Sequence, residues 1–183
     1  PLGNGFVPVD TEHLTIAAGG IGQTPFVAVI REALGLRRYG VPHREVRHRP
    51  ERITVCYGAR TAALLAGVDW FALPGVELRL ATNDGSRGTR GFVTTLLEGL
   101  IAEPTPPTWI DCCGPEPMMA AVAELALQHQ IPARVSLETP MACGIGACFS
   151  CVARIRQPDG SWDYRRTCVE GPVFDAADVV FHE

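Results

Sequence analysis

The 183 residues carry a net charge of -4, 46% hydrophobic residues and sixteen cations, every one of them arginine. That is enough apolar material for a real core, and the cations are scattered rather than gathered in a basic stripe, which argues against nucleic acid as a partner. No apolar run reaches roughly eighteen residues and no secretory leader pattern opens the chain, so neither a membrane span nor a signal peptide is visible and a cytoplasmic protein is expected. The first residue is Pro1 rather than Met, which leads us to expect a chain processed, cropped or excised from something longer.

In chain order, short apolar runs alternate with longer amphipathic ones, the pattern of an α/β domain with an open parallel sheet. "LTIAA" (14–18) reads as the first strand and "TPFVAVIREALG" (24–35) as a helix, with Pro25 at its start and Gly35 as its C-terminal stop. The arginine- and histidine-rich stretch 37–52 has no periodicity and reads as a solvated loop. Strands follow at "ITVCYG" (53–58) and "VELRLAT" (76–82), then a helix at 91–103, a strand at "TWIDCC" (108–113), a helix at 115–129 and a strand at "ARVSLE" (133–138). After Glu138 the composition shifts to cysteines, glycines and short β-like pieces, and "PDG" (158–160) marks a turn between two hairpin arms. We therefore expect a nucleotide-binding type domain over 1–137 and a small second domain over 138–183.

Seven cysteines in a chain with no leader point to metal or redox chemistry rather than a disulfide scaffold. Cys143, Cys148 and Cys151 make C-x4-C-x2-C, and Cys168 follows after sixteen intervening residues. This is the spacing of plant-type 2Fe-2S proteins. Gly144 and Gly146 permit tight turns, so that backbone amides can approach the sulfurs, while Ala142, Ala147 and Ser150 leave room for a cluster. Two other readings stay open: a zinc ion held by four cysteines, which more often shows two C-x2-C knuckles, and buried thiols without a metal. Cys56 and Cys112 fall within predicted strands and read as core thiols.

"AAGGIGQTP" (17–25) follows a strand and opens a helix, where a dinucleotide phosphate could lie against backbone amides. By itself G-G-x-G also fits a tight strand-helix turn that needs glycine for packing alone. "CYGAR" (56–60), "TNDGSRG" (82–88) and "CCGPEPM" (112–118) also sit at C-terminal strand ends, the edge at which open parallel sheets bind ligands.

Taken in order, "GGIGQTP", "YGAR", "DGSRGTRG" and "CGPEPMM" resemble the nicotinamide-binding domain of the ferredoxin-NAD(P) reductase superfamily. "SLETPMACGIGACFSC" with "TCVEGPVFDAADV" is similar to the cluster domain of one branch, the electron-transfer subunits of class B dihydroorotate dehydrogenase. The resemblance implies a relay: NADH reduces FAD, single electrons pass to a 2Fe-2S cluster, and from there to FMN in a catalytic subunit that oxidises dihydroorotate to orotate in pyrimidine biosynthesis. It implies Cys143, Cys148, Cys151 and Cys168 as cluster ligands. Gly19, Gly20, Gly22 and Thr24 would lie beneath the pyrophosphate, with Tyr57 and Arg60 towards the adenosine. Cys113, Gly114 and Pro115 would adjoin the nicotinamide where hydride leaves, joined by Glu116 and Met118.

The family carries its FAD on an N-terminal β-barrel, and this sequence starts after that barrel would end. The 183 residues alone are therefore expected to retain FAD poorly and to be inactive without the flavin domain and the catalytic partner, with which the family forms heterotetramers. Similar modules serve NADH-dependent ferredoxin:NADP reductases, sulfide dehydrogenases, anaerobic sulfite reductases and hydrogenases, and a zinc-stabilised binding module without enzymatic activity is a further alternative. Phe149, between two cysteines, is the residue expected to face the next redox partner.

Overall fold

The computed structural model describes residues 2–44 and 46–181. Pro1, on which the expectation of a cropped chain rests, lies outside them, as do Glu45 in the arginine-rich loop and the last two residues. The chain runs β1 (His13–Gly19), α1 (Phe26–Ala33), β2 (Arg52–Ala59), β3 (Val76–Thr82), β4 (Thr89–Arg90), α2 (Val93–Ile101), β5 (Trp109–Cys113), α3 (Glu116–Gln128), β6 (Ala133–Ser136), β7 (Val152–Arg156), β8 (Trp162–Arg166) and β9 (Val173–Asp175). All five strands read from residues 14–138 of the sequence form, as do all three helices, and short 3-10 turns at 20–23, 62–64 and 68–71 fill connections.

One sheet has the order β4-β3-β2-β1-β5-β6-β9. Its pairs are parallel except β6 with β9, which run antiparallel. The chain steps outward from β1 to β4 and then returns to place β5 on the other side of β1, so strand order reverses between β1 and β5. Such a switch point leaves a crevice beyond the carboxyl ends of the strands.

Every residue of β1 is buried, as expected for a parallel strand covered on both faces. Successive side chains point to opposite faces. Ile16 and Ala18 join Ile53, Val55 and Tyr57 against Phe26 and Ile30 of α1, whereas Ala17 joins Cys56, Ile110 and Cys112 against α2 and α3. Cys56 and Cys112 are thus core thiols, and burial pushes the Cys56 thiol up to about 12. They are chemically quiet.

Helix α1 ends as its sequence indicates. Gly35 takes φ +69, its N–H bonds the carbonyl of Glu32 at 2.9 Å, and the Leu36 N–H bonds that of Arg31 at 2.8 Å. These two bonds satisfy carbonyls that the helix end would otherwise leave bare. The arginine-rich loop is tied down by buried Glu32, which accepts from Tyr39 N–H and pairs with Arg44 at 3.4 Å.

The cysteine-rich end does not stand apart. β9 pairs with β6 in the register Ser136↔Val173 and Arg134↔Asp175, giving the large sheet its edge strand. The β7–β8 hairpin forms a second, two-stranded sheet whose turn carries Gly160 at φ +85. The amino-terminal segment closes on the same region, since the Asn4 amide donates to the carbonyls of Glu170 and Val173 at 3.0 Å and accepts from Val173 N–H. Beneath β9's neighbours, Asp111 is 1% exposed and held by two 2.9 Å bonds from Arg134 and one from the Trp109 indole.

Candidate functional site

Two cavities, of about 790 and 920 Å³, open on either side of the turn Gly19–Gly20–Ile21 at the switch point. Every residue the sequence assigned to nucleotide binding lines one or both. Tyr57, Arg60 and Met118 line the first, and Gly22, Thr24, Cys113, Gly114 and Glu116 line the second. Gly19, Gly20 and Pro115 belong to both.

The glycines divide by physical role. A Cβ at Gly22 would meet the Cys113 carbonyl oxygen at 2.3 Å, and one at Gly19 would meet the Met118 sulfur at 2.5 Å. Those two allow the β1 turn to press on the β5 turn. Gly20 is different: it has φ +55 and nothing within 4 Å of where a Cβ would sit, so its backbone is the part that faces open space. Tyr57 is fully buried, with its ring edge-on to Phe71 and its hydroxyl accepting from Ala66 N–H at 3.1 Å. It forms the floor of the first cavity rather than reaching into it. Arg60 is exposed and is the one charged side chain among that cavity's described lining residues.

In the second cavity Cys113 is partly buried, and burial pushes its thiol up while a hydrogen bond with the Ser136 side chain pulls it back. The two residues are direct partners across the parallel β5–β6 pair. The opposite wall is built by Val152, Ala153 and Arg154 of β7, which begins immediately after Cys151.

Around the cysteines the loop 139–151 has no helix or strand. Gly144 and Gly146 adopt φ +71 and +76, and a Cβ at Gly146 would meet Val169 at 2.8 Å. Cys143 is exposed, yet its thiol is drawn down to about 6 by the backbone N–H groups of Cys148 and Ile145, with further help from the Cys148 side chain and the Ala147 N–H. Backbone donors aimed at a sulfur favour thiolate, the form that ligates metal. Cys151 and Cys168 are buried with their Sγ atoms 2.8 Å apart, and Thr167 N–H bonds the Cys151 carbonyl at 2.9 Å. Cys168 also lies within electrostatic reach of Cys143.

Among the described residues no three histidine, cysteine or acidic side chains close round one point as a single ion requires. The thiols come as two pairs, Cys143 with Cys148 and Cys151 with Cys168. Two pairs joined by amide-rich backbone fit a two-iron cluster, in which each iron takes two protein thiolates. Ile145 and Phe149 project from this loop at 72% and 69% exposure.

Residues 138–180 match the family described as the iron-sulfur cluster binding domain of dihydroorotate dehydrogenase B. The whole chain aligns with the electron transfer subunits of dihydroorotate dehydrogenase B (NAD(+)). It is 32% identical to that of Caldanaerobacter subterraneus subsp. tengcongensis and 34% identical to that of Desulforamulus reducens, in both cases over 99% of this chain and 64% of the relative. The chain is similar to the dihydroorotate dehydrogenase B electron transfer subunits along almost its whole length. It spans 64% of the length of those subunits. Its fold matches the structure of an NADH-dependent reduced ferredoxin-NADP oxidoreductase studied for flavin-based electron bifurcation, with a TM-score of 0.76 and 26% identity over 99% of this chain and 58% of the other. The matched descriptions name an iron-sulfur cluster and NAD(+), two of the cofactors expected from the sequence, and no helix among the described residues is long and apolar enough to cross a membrane.

Some lining residues carried no sequence signal. Asn83 and Phe92 reach the first cavity from the ends of β3 and the lead-in to α2, and Ser136 and Arg154 reach the second. The "TNDGSRG" loop pointed to the right edge but not to Asn83 within it. Ser136 meets Cys113 through sheet pairing, and Arg154 joins the same cavity through the return of the hairpin.

Proposed function

We propose that these 183 residues form the nucleotide-binding and cluster-bearing part of an electron transfer subunit that accepts electrons from NADH and delivers them to an FMN-containing dihydroorotate dehydrogenase catalytic subunit, supporting pyrimidine biosynthesis. The observation that carries this reading is one shared cavity. Its wall on one side is Cys113–Gly114 at the switch-point crevice, and on the other it is the strand that leaves Cys151. A donor nucleotide and the cysteine loop therefore address a common space.

When bound, FAD supplies conversion between two-electron and one-electron chemistry and the 2Fe-2S cluster supplies one-electron carriage. The residues of this chain position those groups. Gly20 offers backbone to the pyrophosphate, with Gly19, Gly22 and Thr24 shaping the turn, and Tyr57 and Arg60 bound the adenosine side. Cys113, Gly114 and Pro115, with Glu116 and Met118, form the nicotinamide side, where the Cys113 thiol stays protonated because burial disfavours its charge. Cys143, Cys148, Cys151 and Cys168 hold the cluster. The division falls near residue 137, with nucleotide binding before it and cluster binding after.

The complete assembly is a cytoplasmic heterotetramer of paired catalytic and electron transfer subunits, and the 183 residues alone do not turn over. Copurification with an FMN-containing dihydroorotate dehydrogenase tests the partner. Recovery with a different flavoprotein would favour a second reading, a subunit of a ferredoxin-NADP oxidoreductase, to which the TM-score of 0.76 gives support.

A further inference from the structure

Arg166 touches the cysteine loop at points some way from it in sequence. Its Nη1 donates to the Gly146 carbonyl at 3.1 Å, between Cys143 and Cys148. Its guanidinium carbon lies 4.8 Å from the centre of the Phe149 ring, between Cys148 and Cys151. Its backbone pairs with Val152, the residue after Cys151, and stands two positions before Cys168. Glu170 pins it from the far side, with an ion pair to Nε at 3.6 Å and acceptance of the Arg166 N–H at 2.8 Å.

We infer that Arg166 is a positioning residue that clasps the segments bearing the cysteine ligands into one cluster-accepting shape and sets the reduction potential of the cluster with its positive charge. The inference rests on the reading of this loop as a 2Fe-2S site. A flat guanidinium with several donors can stack on an aromatic face and bond a carbonyl at once, which an ammonium cannot do in the same pose. A fixed cation beside a cluster that gains negative charge on reduction favours the reduced form. The salt bridge to Glu170 tempers that charge and fixes where it sits.

The test uses the 183-residue chain loaded anaerobically with iron and sulfide, comparing wild type with Arg166→Gln and Arg166→Lys. Two readouts are taken: the reduced fraction at a fixed solution potential, by paramagnetic resonance, and the half-life of the cluster absorbance under a chelator. Arg166→Gln is expected to lower the reduced-to-oxidised ratio on the order of tenfold, equivalent to about 59 mV for one electron, and to shorten the half-life. Arg166→Lys is expected to restore the ratio while leaving the half-life short, because charge returns but the stack and fork do not. A Gln variant equal to wild type in both readouts overturns the inference. If the Gln variant takes up no cluster, Phe149→Leu, which removes the stack alone, decides the clasp, with a shortened half-life supporting it and an unchanged one overturning it. Failure of wild type itself to take up a 2Fe-2S cluster would count against the proposed function instead.

Discussion

Replacing Gly22 with alanine tests how the nucleotide crevice is built. The added methyl would stand 2.3 Å from the Cys113 carbonyl oxygen, 2.5 Å from its carbon and 2.7 Å from the Gly114 nitrogen. All three are backbone atoms, so no side chain can swing aside and the β1 and β5 turns must separate. Overpacking of this kind costs roughly 1–3 kcal/mol, and each kcal/mol moves the melting temperature of a chain this size by roughly 2–4 °C. A fall of about 2–12 °C is therefore expected by thermal circular dichroism. Gly99→Ala is the control: the site lies inside α2 with nothing within 4 Å. There alanine should stabilise by roughly 0.5–1 kcal/mol. Gly22→Ala should also lose the thermal protection that saturating NADH gives the parent chain. A Gly22→Ala protein melting within about 1 °C of the parent would refute the tight turn-on-turn packing.

Further outcomes follow from the buried polar groups and from the cofactor reading. His13 is 3% exposed, its Nδ1–H faces the carbonyls of Thr105 and Pro106, and Nε2 accepts from Thr54 at 2.9 Å. Burial, helped by the Arg52 charge and opposed by those carbonyls and Glu103, holds its pKa below 6.5. The neutral ring's contribution to stability should be complete above pH 6.5 and decline as pH falls from 6.5 towards the folded value. Denaturant titrations across pH 5–8 should show that decline, and His13→Gln should remove it. Asp111→Ala leaves the Arg134 guanidinium, with its side chain 13% exposed, without its carboxylate, so unfolding free energy should drop by about 3–5 kcal/mol; a loss under about 1 kcal/mol would show that Arg134 finds another partner. The purified 183-residue chain should show little flavin absorbance at about 450 nm, and stoichiometric FAD would contradict that expectation.

Periodicity and turn chemistry made the parallel sheet readable because its strands are buried on both faces and its helices are amphipathic. The edges were less legible. β4 has two residues and β9 three, too short for any alternation to register, and β9 owes its place to pairing with β6 rather than to its own sequence. The four cysteines were singled out by spacing alone, whereas the closeness of Cys151 to Cys168 depends on how the β7–β8 hairpin folds back. Tyr57 shows a different limit. "YGAR" placed it at the nucleotide edge, but strand parity turns the ring into the core beside Phe71, leaving Arg60 as the exposed member. Arg166 was one of sixteen arginines until the hairpin register set it against Phe149 and Gly146.

The most direct measurement is made on the anaerobically purified chain after reconstitution with iron and sulfide: metal and acid-labile sulfide analysis together with a paramagnetic resonance spectrum before and after reduction. About two irons and two sulfides per chain, silent when oxidised and showing a 2Fe-2S signal when reduced, are the expected result. One zinc per chain without colour, or a reduced sample with no such signal, would contradict the assignment of Cys143, Cys148, Cys151 and Cys168 as the ligands of an electron-carrying cluster.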